Sequence, residues 1–144
     1  LTTAGTFYPV LSLRLKSNPN RLDAIVILTA LSIMGTGNGP QYNWQVIASA
    51  ITAGGTWISA GNDSSVEYKI GGTSITGRRI LASGFFSSNN QSSSSVDILK
   101  EALFKFQLER NGLTSTPYEL SLSVASDTAS ADVFAALDWE EVSR

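Results

Sequence analysis

Residues 42–86 read YNWQVIASAITAGGTWISAGNDSSVEYKIGGTSITGRRILASGFF, and the punctuation of this stretch decides the fold. Tyr42, Trp44, Val46 and Ala48 fall on alternate positions, the spacing of a strand's inward face. Gly54-Gly55 breaks the run and Trp57-Ile58 resumes it. Asn62-Asp63-Ser64-Ser65 is a turn cluster. Val66, Tyr68 and Ile70 then alternate with Glu67 and Lys69, Gly71-Gly72 turns the chain again, and Arg78 to Phe86 runs out as a further strand. The expectation is a β meander with tryptophans near its centre.

The flanks carry the same period. Residues 1–5 are small and polar, an arm or linker, and residues 6–144 form a single domain. Leu11, Leu13 and Leu15 alternate with Ser12, Arg14 and Lys16, a half-buried strand with one wet face. Ser17 to Asn20 is a turn around Pro19. Residues 24–34, AIVILTALSIM, are apolar on both parities, and the β-branched Ile25, Val26, Ile27, Thr29 and Ile33 favour a strand over a buried helix. Its second face is covered either by a neighbouring subunit, through Ile25, Ile27, Leu31 and Ile33, or by the chain's own loops. The first of these is the preferred expectation. Residues 87–95, SSNNQSSSS, are a polar low-complexity loop with nothing to bury. A short turn at Asp97–Glu101 and a strand from Leu103 to Arg110 follow, then the tight-turn signal Asn111-Gly112. Leu120, Leu122 and Val124 mark one more strand. Val133, Ala135, Leu137 and Trp139 mark the last. Eight to ten short strands with frequent turns predict an all-β, antiparallel β-sandwich, jelly-roll-like.

Composition removes several functions. The 144 residues suffice for one domain with a real core. Charged residues make up only 15% of the chain, against about 25% in an ordinary soluble protein. The net charge is −2 with no basic run, so the electrostatic footprint of nucleic-acid binding is missing. No apolar run reaches the roughly 18–20 residues of a membrane helix. There is no cysteine and no histidine, which excludes disulfides, thiolate chemistry, Cys/His zinc sites and histidine-dependent triads. A first residue Leu1 in place of Met suggests a processed chain or a portion of a longer one.

The remaining chemistry is sparse. Asp138 with Glu140 or Glu141, and Asp127 with Asp132, are the carboxylate pairs that glycoside hydrolysis would need, but acids on the wet face of a terminal strand are commonplace. Asn62-Asp63 and Asp127 lack the ligand density of a calcium loop. The glycines of residues 35–40, GTGNGP, lack the strand–helix context of a phosphate loop. Arg78 and Arg79 point to opposite faces of one strand. Trp44 and Trp139 are in phase with apolar neighbours and belong to the core. Trp57, beside Gly54-Gly55, is the candidate sugar platform, and Asn89, Asn90 and Gln91 in the serine-rich loop are candidate receptor contacts. No enzyme activity, cofactor or metal is expected.

Leu11–Lys16, Trp44–Ile47, Gly55–Trp57, Ser64–Tyr68, Gly77–Gly84, Ala131–Val133 and Leu137–Glu141 together resemble the C-terminal β-sandwich domains of tailed-bacteriophage virion structural proteins, of tail fibre, baseplate or surface-appendage type. The resemblance implies a homotrimer on the virion surface that contacts other virion proteins and a host-surface glycan, without nucleic-acid binding or membrane insertion. A capsid decoration (cement) protein and a secreted carbohydrate-binding module are the alternatives.

Overall fold

A computed structural model describes residues 1–17, 24–37, 39–77, 79–89 and 106–142. The described residues form an all-β, antiparallel sandwich with nine strands and no helix. The strands are β1 (Tyr8–Leu15), β2 (Ile25–Gly35), β3 (Gln41–Ala53), β4 (Ile58–Ser59), β5 (Val66–Ile70), β6 (Ser74–Thr76), β7 (Arg79–Ser87), β8 (Glu119–Ser126) and β9 (Val133–Val142). One sheet holds seven of them in the order β4-β5-β1-β8-β3-β6, with β7 also on β3. The other sheet is β2 paired with β9. Leu13, Leu15, Tyr42, Trp44, Val46, Leu120, Leu122 and Val124 of the large sheet pack against Val26, Leu28, Leu31 and Leu137 of the small one. The inward alternation of Tyr42, Trp44, Val46 and Ala48 holds, with all four buried.

The expected meander does not form. β3 pairs with β6, β7 and β8, and β5 pairs with β1 and β4. The reason lies in β3, which leaves the sheet halfway along. Ser49 takes a left-handed backbone (φ 52), and the register shifts between Ala48 and Ala50. Beyond this bend, Ile51–Ala53 pair with β6 and lie over the outer face of β1 and β5. There the Thr52 carbonyl accepts from Lys69 Nζ at 3.1 Å, and a Cβ on Gly55 would lie 2.8 Å from the Ile70 carbonyl. Backbone so close to the sheet leaves room only for small side chains beneath it. Ser12, Ser121 and Ser123 fill that layer, all buried. Their hydroxyls are satisfied by the Ser12–Ser121 hydrogen bond (2.9 Å) and by the Gln45 carbonyl, which accepts from Ser123 (3.3 Å). Ser49 is exposed, and a left-handed backbone disfavours any residue with a Cβ. Ser49→Gly is therefore expected to raise the unfolding free energy by roughly 0.5–1 kcal/mol in urea melts. An unchanged or lower midpoint would mean that the bend is not strained.

The doubly apolar segment is a strand, and a bulge explains its pattern. The β2–β9 register shifts between Leu28 and Ala30, so the inward parity changes in mid-strand. Val26 and Leu28 point to the core before the shift, and Leu31 and Ile33 do so after it. Ile25, Ile27, Leu31 and Ile33 therefore do not share one surface. Leu31 is 3% exposed within its own chain, and Ile27 faces the other way, bridged to Gln107. The expected strand at Leu103–Arg110 is described only from residue 106. From there the chain makes two isolated bridges, Ile27–Gln107 and Arg110–Pro117, and no strand. Asn111 does turn the chain, its Oδ1 accepting from the amides of Leu113 and Thr114. The turn expected at Asp97–Glu101 lies outside the described residues. The N-terminal arm is docked, with the Leu1 ammonium donating to the Ala131 carbonyl at 2.8 Å and the Gly5 amide to Ser126 at 2.7 Å.

Candidate functional site

Two places on the molecule have the geometry of a site. The first is Trp57, on the connection that crosses the outer face ahead of β4. Arg14 and Glu67 are cross-strand partners on β1 and β5, joined by a 2.9 Å ion pair. Ser12 and Lys69 pair one step along. Arg14 and Lys69 therefore project from the same face, and the Trp57 ring lies on both. The Arg14 guanidinium carbon is 4.2 Å from the ring centroid and Lys69 Nζ is 4.7 Å away. Lys69 is buried, which a lysine tolerates because the ring and the Thr52 carbonyl replace its water. Both cations thus lie against the Trp57 ring, which is half-buried.

Arg110 joins this cluster from the edge. It donates to the Lys16 and Ser115 carbonyls, and its Nε is buried without a partner. Burial pushes the guanidinium below its ordinary pKa, Glu67 pulls it back up, and Arg14 lowers it further.

The second place is the gap between the sheets. A groove of about 710 Å³ opens between the start of β9 (Val133, Phe134, Ala135) and a floor made by Tyr8, Leu11 and Ile70. Ile70 pairs with Leu11 on the core-facing side of the large sheet, yet it is 59% exposed. Phe134 at the rim is 60% exposed. Thr2 closes one end, hydrogen-bonded to the Tyr8 hydroxyl at 2.8 Å. That bond and a second from Thr3 hold the Tyr8 phenol below its ordinary range.

The opposite end of β9 is shut. Glu141 turns inward and accepts from the Ser64 hydroxyl (2.5 Å), the Ser65 amide (2.6 Å) and the Trp139 indole (2.8 Å). Burial raises its carboxyl, but these three donors and the Lys16 charge outweigh burial and hold it below the ordinary value. Lys16 itself is buried and donates to the Gly61 carbonyl at 2.6 Å.

The residues singled out from the sequence scatter over this frame. Asn89 is exposed at the end of β7, its amide on Ser87 Oγ. Trp57 sits over β1 and β5, on the far side of the sheet from β7, so the two do not form one surface. Asn90, Gln91 and Arg78 lie outside the described residues. Arg79 reaches the Phe106 ring at 5.9 Å. Asp138 and Glu140 share the exposed face of β9, whereas Glu141 faces in. Asp127 spends one carboxylate oxygen on the Gln41 amide. Among the described residues no three acidic side chains gather as a metal-ligand set. Trp44 is core, and Trp139 is half-buried against it. Sequence reasoning missed the groove and the inward anchoring of Glu141 on Ser64 and Ser65. No local pattern marks either one, since both depend on which strands end up opposite each other.

No protein-family model, no curated protein and no solved structure matches the chain. The class is therefore defined by the fold and these two places alone: an antiparallel β-sandwich with one aromatic surface and one open inter-sheet groove.

Proposed function

We propose that this chain is a non-enzymatic virion structural protein of a tailed bacteriophage. In this reading it is the C-terminal domain of a trimeric tail fibre or related appendage at the particle surface, where it contributes to assembly and to contact with host-surface glycan. The resemblance of its strand sequences motivates the reading. The observation that carries it is the apolar surface. Ile51 is 73% and Phe85 77% exposed, on different strands of a chain with few charges. Packing such side chains against further copies of the chain takes apolar area out of water, and a closed homo-oligomer does so symmetrically. Trp57 supplies the glycan contact, because an aromatic face offers a sugar ring apolar area at low entropic cost.

Light scattering on the 144-residue chain is expected to give three times 15.3 kDa. A monomer at micromolar concentration would remove the assembly reading. In a glycan-array screen, Trp57→Ala is expected to weaken any hit about tenfold, consistent with the ~0.5–1.5 kcal/mol attributed to an aromatic contact. A monomer whose glycan binding still depends on Trp57 would favour the second reading, a carbohydrate-binding module, which rests on the partial exposure of that ring.

A further inference from the structure

Seven strands face two in this sandwich, so β2 and β9 roof only part of the core-facing side. The uncovered part lies under β9's outer edge. There Leu11, Tyr68 and Ile70 continue the inward row of β1 and β5, and Ile58, the partner of Tyr68, is 45% exposed. The roof is fastened at the Glu141 end by Ser64 and Ser65 and gapes at the Val133–Ala135 end, where the groove opens.

We propose that this groove is a strand-acceptor site: an extended segment of alternating apolar and basic residues adds to the free edge of β9 and completes the small sheet. This goes beyond the virion reading and does not depend on it. Among the described residues β9 pairs with β2 alone, and main-chain donors and acceptors along a strand's second edge are what strand addition requires. A strand lying there points every second side chain down onto Leu11 and Ile70. Its other side chains rise beside the outward face of β9, where Asp132 at the groove's lip and Asp138 flank Phe134 and Ala136, with Glu140 further along the strand. β2 offers these carboxylates no countercharge, since the cross-strand partners of Asp138 and Glu140 are Ala30 and Ile27. Opposite charges on neighbouring strands attract and like charges repel. An incoming strand with lysine or arginine on its outer parity is therefore favoured. A second β9 edge, as acidic as the first, is disfavoured.

The test uses two synthetic octapeptides, alternating valine with lysine or valine with glutamate, titrated into the full chain at low salt and followed by amide NMR shifts. The lysine peptide is expected to bind and to shift the amides of residues 133–138 and of Leu11 and Ile70, with the glutamate peptide at least tenfold weaker. Asp132→Lys with Asp138→Lys is expected to invert that preference. Ile70→Lys, at a largely exposed position, should abolish binding of the lysine peptide while leaving the melting curve in place. Absence of binding at millimolar peptide, equal binding of both peptides, or shifts on another surface would overturn the proposal. So would concentration-dependent broadening of the same amides without peptide, which would make the occupant a second copy. Binding of an apolar dye at Ile70 with no response to either peptide would make the groove a small-molecule pocket and overturn it as well.

Discussion

Glu141→Ala is expected to lower the unfolding free energy by about 2–3 kcal/mol, the range for hydrogen bonds to a charged group. The carboxylate collects three donors, from Ser64, Ser65 and Trp139, and faces the buried Lys16. Removing it leaves those three donors without their acceptor in a site water only partly reaches, and takes away the negative charge nearest Lys16. Glu141→Gln keeps an acceptor and should cost roughly half as much. The effect must depend on pH in one direction. The folded carboxyl lies below its ordinary value of 4.5, so the native state holds its proton less tightly than the unfolded chain does. The stabilisation is fully present above the ordinary value. It is lost as pH falls from about 4.5 through the lower folded value. Melting temperatures of wild type and Glu141→Gln should differ by a constant amount above about pH 5.5 and draw together progressively as pH falls below the ordinary carboxyl value. A gap that persists unchanged in acid would show that the charge is not what fastens β9 to β5.

Gly35→Ala is expected to cost about 3 kcal/mol, at the upper end of ordinary overpacking. A Cβ at position 35 would stand 2.3 Å from Tyr42 Cε2 and 2.6 Å from Cζ. The ring has nowhere to retreat. It is 1% exposed, stacks on Phe86 with centroids 4.7 Å apart, and its hydroxyl donates to the Thr36 and Asp132 carbonyls at 2.8 and 3.2 Å. Any shift that admits the methyl breaks that stack or those bonds. A double-mutant cycle with Tyr42→Ala isolates the clash. In the truncated background Gly35→Ala should cost little. If the two losses simply add in chemical denaturation, the contact is not the cause.

Where burial follows the chain's own period, the sequence is a good guide. Leu11, Leu13 and Leu15 of β1, Tyr42 to Ala48 of β3, Leu120, Leu122 and Val124 of β8, and Val133, Ala135, Leu137 and Trp139 of β9 each lie on the face where the alternation puts them. Two kinds of feature defeat that reading. One is the register shift. β2 looks apolar on both faces because the bulge after Leu28 exchanges its faces, not because both faces are buried along its whole length. The other is tertiary layering. Lys69 and Lys16 occupy polar phases of amphipathic strands, yet both are buried, because chain from elsewhere crosses over them. Glu141 reads as one more surface acid, and only the approach of Ser64 and Ser65 makes it an anchor. Trp57 was marked by its neighbouring glycines, but the cations behind it belong to strands 40 or more residues before it and about ten after it in the chain. The groove exists because one sheet has far fewer strands than the other, a property of no single segment.

The pairing of β2 with β9 joins residues 25–35 to residues 133–142, and β1 likewise waits for β8. Contacts this distant must close long loops before they contribute any stability, which places the domain among slow folders, on the scale of milliseconds to seconds. On the ribosome the consequence is sharper. At roughly 5–20 residues per second, the most apolar strand of the protein leaves the exit tunnel several seconds before its partner has been synthesised. For that interval Ile25 to Met34 is an unpaired hydrophobic edge, the kind of segment that holdase chaperones capture and that aggregates when they are scarce.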